Sequence, residues 1–298
     1  MKIFLSGATG FVGSYLRSML LREGHLLTIV TRNPKKYEEE KAENQQFVSW
    51  DDNLAAEMEQ ADAVINLAGA SIFGQRWTEE VKRKIYSSRI ETTTQLVSAI
   101  EQADNRPSVM VSASGADYYG DCGDKVLDET EESGEGFLSK VCVDWEQAAE
   151  LVTALDVRLA IPRIAVVLEK DGGALEQMLT PFKLCVGGPI GSGGQYFPWI
   201  HMYDLCRGIV FAIHNEDFTG AYNLSAPNPV TMRTFANELA AQLNRPSLFK
   251  VPGSVLKLVL GEAADPILTS KRLQPKKLQQ HGFEFRFPYL QEALADIL

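Results

Sequence analysis

The sequence predicts an α/β fold, a doubly wound parallel sheet carrying a smaller C-terminal α+β substrate lobe. Three observations lead there. The chain opens with an apolar run, a glycine turn and a helical segment. Strand and helix signals then alternate as far as Leu168. Beyond that point the alternation loosens into loops and short helical pieces.

The first strand is Ile3-Phe4-Leu5. Gly7-Ala8-Thr9-Gly10-Phe11-Val12-Gly13 turns the chain into a helix beginning near Ser14. Leu26–Val30 is a second strand, and a charged connection over 33–44 leads to a third at Phe47–Trp50. Ala63–Leu67 is a fourth strand, entering Ala68-Gly69-Ala70. A long helix follows over about 79–102, then a fifth strand at Val109–Val111 that enters Ser112-Ala113-Ser114-Gly115. Residues 120–136 read as an acidic loop, and 138–155 have helical spacing. Val157–Ile161 and Ile164–Leu168 form a sixth strand, with Pro162-Arg163 inside or just beyond it. Later come a glycine loop over 187–194, a helix near 201–214, a strand near 221–224 and a helix capped by Thr231 that runs to about Asn244. The boundaries that follow are 1–168 with 199–224 for the sheet domain, and 169–198 with 225–298 for the smaller lobe.

Composition narrows the function. The 298 residues carry 39 acids against 29 Lys and Arg, a formal charge of −10, which argues against a nucleic-acid partner. No apolar run approaches a membrane span, so no membrane partner is expected. Met1-Lys2 leads directly into the first strand, without a signal-peptide pattern. The four cysteines form no C-x-x-C pair, so no metal is expected and the thiols read as reduced in a cytoplasmic protein.

The glycine turn carries the chemistry. Between a strand and a helix, its glycines let the backbone bend tightly and approach a pyrophosphate, while the helix N-terminus offers free N–H groups to the phosphate charge. The spacing is G-x-x-G-x-x-G, so all of Gly7 to Gly13 are candidate cofactor contacts. An acid about 20 residues further on would bind a ribose 2′-hydroxyl and repel a 2′-phosphate. This chain has Thr31-Arg32 there instead. A guanidinium suits a phosphate, which favours NADP(H) over NAD(H), the alternative being an Arg32 that simply faces solvent. Asp51 is a candidate for the adenine amino group, although Asp51-Asp52 serves equally well as a turn. Leu67, Ala68 and Gly69 give the cofactor a close backbone approach. Lys84 and Arg89 are basic candidates on the next helix, with a solvated face as their alternative. Arg163, after the sixth strand, is a candidate for an anionic ligand or for ordering the loop.

These segments, with Asn66-Leu67-Ala68-Gly69, Ser112-Ala113-Ser114 and Pro198-Trp199-Ile200-His201-Met202-Tyr203-Asp204, resemble the extended or atypical short-chain dehydrogenase/reductases, a superfamily that includes NAD(P)-dependent epimerases and dehydratases. Ser114–Asp121, Gly187–Asp204 and the lobe from Val230 look like its uncharacterised "epimerase family protein" subgroup. The resemblance covers essentially the whole chain. It implies a Rossmann domain, NADP(H) and a substrate crevice between the lobes. Pairing of the helices at 79–102 and 138–155 across a homodimer, as happens in relatives, is open beside simple core packing.

Active relatives carry Tyr-x-x-x-Lys on one helix, which places an ammonium beside a phenol and prepares it for proton exchange. Here the matching positions are Phe137 and Val141, or Leu138 and Cys142 one residue later. The only Tyr-x-x-x-Lys, Tyr37–Lys41, lies on the adenosine side and reads as chance. The catalytic candidates are therefore Ser114, Tyr118 and Tyr119, with packing as the competing role of the tyrosines. Lys140 lies one turn into the helix. His201 reads as an acid–base group or, near Asp204, as a structural one. The expected function is an NADP(H)-dependent oxidoreductase or epimerase-like activity on a small hydroxyl or carbonyl compound, sugar derivatives included. The alternative is an NADPH-binding sensor.

Overall fold

Strand β1 (Lys2–Ser6) alternates its apolar residues: Ile3 and Leu5 enter one core, Phe4 the other. That period of two, with both faces apolar, is what a parallel strand covered by helices requires. A computed structural model describes residues 1–298. After α1 (Phe11–Arg22) come β2 (Leu26–Thr31), β3 (Gln45–Ser49), α2 (Leu54–Met58), β4 (Ala63–Asn66), α3 (Glu79–Gln102) and β5 (Val109–Ser112). Then follow β6 (Ser114–Gly115), β7 (Val126–Leu127), α4 (Phe137–Glu150), β8 (Arg158–Ile164), β9 (Val166–Leu168) and α5 (Gly173–Lys183).

The C-terminal part comprises β10 (Tyr196–Phe197), β11 (Trp199–His201), α6 (Met202–His214), β12 (Gly220–Leu224), β13 (Val230–Thr231), α7 (Met232–Gln242), α8 (Gly253–Leu260), α9 (Asp265–Leu268), β14 (Arg272–Leu273), α10 (Lys276–Gln280) and α11 (Leu290–Ile297). The main sheet runs β12-β8-β5-β4-β1-β2-β3, all parallel, with β6 paired to β8. Chain order reverses between β1 and β4, so a crevice opens at the carboxyl ends of those strands.

The sixth strand divides in two, where the sequence reading had one. Pro162 and Arg163 lie inside β8, and β9 leaves to pair with β11 instead. Pairing of β8 toward β5 stops at Ala160 and resumes with β6 at Arg163, so the proline's missing N–H falls in the gap. The helix read over 138–155 is α4 followed by a 3-10 turn over Leu151–Leu155. The stretch after Leu168, where the alternation of signals loosens, contains α5, whose Leu175, Leu179 and Phe182 face a third core. That core also takes Phe197, Trp199, Phe235, Leu239, Leu290 and Leu294.

Buried polar side chains fix the crevice end of the sheet. Asn66 is fully buried at the end of β4. Its Oδ1 accepts from Ser6 Oγ of β1 at 2.7 Å, and its Nδ2 donates to Thr93 Oγ1 of α3 at 2.8 Å and Ser112 Oγ of β5 at 3.2 Å. Trp145 Nε1 of α4 donates to the same Thr93 oxygen at 2.9 Å. One amide thus joins three strand ends and two helices. A second anchor is the buried pair of Glu146 and Arg163: Nε donates to Oε1 at 2.9 Å and Nη2 to Oε2 at 2.8 Å. It ties α4 to β8, and Ser114 Oγ of β6 donates to Glu146 Oε1 at 2.6 Å.

Two stability measurements follow. Asn66→Ala strands the hydroxyls of Ser6 and Ser112 and should lower unfolding free energy in urea by about 2–4 kcal/mol. Glu146→Ala leaves a guanidinium buried without its anion and should cost about 3–5 kcal/mol. A loss below ~1 kcal/mol for either variant would remove that residue from the framework.

Candidate cofactor and substrate site

The glycine turn is shaped by its neighbours. Gly7 has φ +73°, and a Cβ there would sit 2.6 Å from the carbonyl carbon of Leu67. A Cβ at Gly13 would collide with the carbonyl oxygen of Gly7. These two glycines let α1 and the segment after β4 close on the turn. Gly10 is different: only the Gly7 oxygen, at 3.3 Å, approaches its Cβ position, so its outer side is open. Gly10 N donates to Gly7 O, and Ser14 N is the first to bond back, to Gly10 O. The N–H groups of Phe11, Val12 and Gly13 have no acceptor in the protein, and no side chain caps α1. An uncapped helix start beneath an open glycine fits a pyrophosphate. Phe11 closes one flank, its ring packed where Cβ atoms on Gly172 and Gly173 would clash.

The other cofactor candidates line the same strand ends. Thr31 is buried at the end of β2, and Arg32 beyond it is exposed with no hydrogen bond or ion pair within the protein. The Asp51-Asp52 ambiguity divides between the two residues. Asp52 Oδ2 accepts from Ser49 N at 2.7 Å and makes the turn, whereas the exposed Asp51 carboxylate has no partner. Leu67 N donates to Ser6 O, and Ala68 N to Asn66 Oδ1 at 3.3 Å, which holds Leu67-Ala68-Gly69 against the turn.

Arg89 reaches this segment from α3: a Cβ on Gly69 would lie 3.1 Å from the Arg89 Cζ. Its Nη1 donates to Ile85 O at 2.9 Å and its guanidinium stacks 5.2 Å from the Trp145 ring, leaving Nε and Nη2 without a protein acceptor. Burial pulls its pKa below the ordinary arginine value. Lys84 is exposed one turn before Ser88, whose Oγ accepts from Ala70 N at 2.9 Å.

Three expected site residues belong instead to the interior. Arg163, expected to meet a ligand, spends its donors on Glu146 and on Tyr119 Oη, 3.0 Å from Nη1. Burial opposes its charge, but the Glu146 carboxylate outweighs that and raises its pKa. Tyr119, expected to handle a proton, is 1 % exposed. Its hydroxyl donates to Asn223 Oδ1 at 2.7 Å, and burial pushes its pKa up to about 12. Ser114 is committed to Glu146. Buried between β8 and α4, Arg163 and Glu146 neutralise each other, and the hydroxyls of Tyr119 and Ser114 satisfy further hydrogen-bonding atoms of the pair.

Tyr118 is the exception. Half-buried, its ring lies 3.4 Å from the Arg163 Cζ, and its hydroxyl has no partner in the protein.

The helix that would carry Tyr-x-x-x-Lys is α4. Phe137 and Leu138 pack with Trp77, Ile72 and Leu260 in a small apolar cluster, Phe137 edge-on to Trp77 at 5.5 Å. Val141 is buried, as is Cys142, whose thiol burial pushes up to about 12. Lys140 points outward to Asp144 at 2.7 Å, a surface pair that excludes it as a crevice amine. Tyr37 stacks on Phe47 at 5.1 Å, far along the sheet. His201 caps α6, its Nδ1 accepting from Tyr203 N, and Asp204 accepts from the N–H groups of Arg286 and Phe287. Both are structural.

Two buried charged residues escaped sequence reasoning. Glu146 interrupts the apolar stripe Cys142, Trp145, Ala149, and an acid on that face was a readable signal. Lys271, 2 % exposed and paired with Asp117 at 2.9 Å, links the C-terminal lobe to the turn after β6, and no local pattern marks it.

Comparison with known proteins agrees with this architecture. The family model described as NAD dependent epimerase/dehydratase matches residues 3–225, and one described as a domain of unknown function, DUF1731, matches residues 251–297. The chain is 39% identical over 303 residues to the chloroplastic SDR39U1 homolog of Arabidopsis thaliana, covering all of this chain and 87% of that protein. It is 37% identical over 302 residues to the epimerase family protein YfhF of Bacillus subtilis, covering 100% and 98% respectively. The crystal structure of human SDR39U1 with NADPH superposes with a TM-score of 0.91 at 35% identity, covering 100% of this chain and 99% of that one. The chain belongs to the NAD dependent epimerase/dehydratase family.

Proposed function

We propose that this protein binds NADP(H) and uses it on a small hydroxyl or carbonyl compound, sugar derivatives included. The observation that carries the reading is the uncapped start of α1 beneath Gly10, with the unpaired Arg32 at the end of β2. A relative 35% identical over the full chain was solved with NADPH, which supports the same cofactor here.

In this reading the N–H groups of Phe11 to Gly13 hold the pyrophosphate, Arg32 holds the 2′-phosphate by charge-assisted hydrogen bonds, and Asp51 faces the adenine. Thr31 sets the position of Arg32. Leu67-Ala68-Gly69 gives close backbone approach, while Arg89 and Lys84 add positive charge beside it. The bound nicotinamide supplies hydride transfer. Tyr118 is the residue left to exchange a proton with the substrate oxygen.

The second reading is an NADPH-binding sensor without turnover. Phe137 and Val141 favour it, because neither offers a hydroxyl or an amine where active relatives have both.

Thermal unfolding with the four nicotinamide cofactors tests the first half. NADPH and NADP⁺ at a hundredfold excess over Kd should each stabilise by about 2.7 kcal/mol. NADH and NAD⁺ should do so far less, and Arg32→Ala should remove the difference, a loss of about 1.5–3 kcal/mol. Equal shifts for all four in the parent protein would refute the role of Arg32. A carbonyl panel followed by NADPH oxidation tests the second half. Tyr118→Phe should lower kcat by about 10²–10⁴ while cofactor stabilisation is kept. Undiminished turnover in that variant would exclude Tyr118, and no turnover by the parent across the panel would favour the sensor.

A further inference from the structure

The C-terminal lobe carries a surface that neither cofactor binding nor the crevice explains. Helix α8 has no buried residue. Its Val255, Leu258 and Val259, spaced i, i+3 and i+4, form one outward stripe, with Leu258 77 % exposed. The segment before it continues the patch with Leu248, also 77 % exposed, and Phe249. Phe249 N donates to Gly187 O and Val251 N to Pro189 O, which joins this segment to the end of α5, where Leu184 is 68 % exposed. Contiguous apolar surface of this kind marks an interaction site rather than scattered exposure.

Charge identifies the partner. The two stretches that build the patch, 177–203 and 239–261, contain no Asp or Glu, in a chain with 39 of them. They contain Lys183, Arg245, Lys250 and Lys257. Only Lys257 has an ion-pair partner, Asp265 at 3.0 Å. In a protein of net charge −10, Lys183, Arg245 and Lys250 thus stand beside the most exposed apolar side chains without a counter-ion, while the acids nearest α8, Glu262 and Asp265, are paired with Lys82 and Lys257. Apolar residues rimmed by unpaired lysines are complementary to an anionic bilayer surface: the side chains enter the interfacial region and the ammonium groups meet lipid phosphates. A second copy of the chain would place the same lysines against one another.

We propose that the patch formed by α8, residues 248–250 and the end of α5 docks this protein on anionic lipid membranes. No helix is long and apolar enough to cross a bilayer, so the attachment is peripheral and reversible. It revises the sequence expectation of no membrane partner, and it does not rest on the cofactor assignment.

Sedimentation of the full-length chain with extruded vesicles tests it. The protein should pellet with vesicles of phosphatidylcholine plus phosphatidylglycerol, remain in solution with phosphatidylcholine alone, and be released by high salt. The double variants Phe249→Ser/Leu258→Ser and Lys183→Glu/Lys250→Glu alter only exposed side chains. Each should weaken partitioning about tenfold or more, with the melting temperature and the NADPH-induced stabilisation unchanged. Failure to pellet with anionic vesicles, equal pelleting with neutral ones, or undiminished binding by either variant would overturn the proposal. So would a concentration-dependent dimer, seen by ultracentrifugation, that the Phe249→Ser/Leu258→Ser variant abolishes while vesicle binding is absent.

Discussion

The crevice end of the sheet depends on Asn66. A carboxamide has donors and an acceptor in one plane, and buried at the end of β4 it serves β1, β5 and α3 together. Once its Oδ1 is fixed by Ser6, the same oxygen can receive Ala68 N and hold the chain beside Gly7. The close approach of Leu67 to Gly7 follows, and with it the geometry of the glycine turn. No apolar residue could replace it without stranding the hydroxyls around it.

A comparable economy explains the interior charge. Glu146 and Arg163 would each be costly to bury alone, yet together they draw Ser114, Tyr119 and Asn223 into a satisfied chain of hydrogen bonds. That chain spans β6, α4, β8 and β12. It occupies side chains that elsewhere in this superfamily would be read as chemical equipment, and Tyr118, just outside it, keeps a free hydroxyl.

The two ends of the molecule therefore differ in kind. The glycine turn is built from backbone, with free N–H groups and glycines without side chains, and the unpaired Arg32 lies at the next strand end. The region around the start of α4 is built from packed side chains, with Phe137 and Trp77 in an apolar cluster and Lys271 bridging from the C-terminal lobe to Asp117. Family membership accounts for the first. The second is where this chain departs from relatives that carry a tyrosine and a lysine on α4.

Local pattern decided what local physics controls. The apolar run of β1, the glycine spacing, the Arg at the end of β2 and the helical period of α3 were all readable, because each depends on neighbours within a few residues. Tertiary structure decided everything that depends on pairing across the chain. Pro162 sits inside a strand because two different neighbours flank it, and Arg163 is internal because Glu146, 17 residues away, neutralises it. Lys271 is buried because Asp117 waits on the opposite lobe. A charged side chain looks the same in sequence whether it faces water, a ligand or a buried counter-ion. Only the folded chain says which, since the solvation of a charge is set by what surrounds it in space.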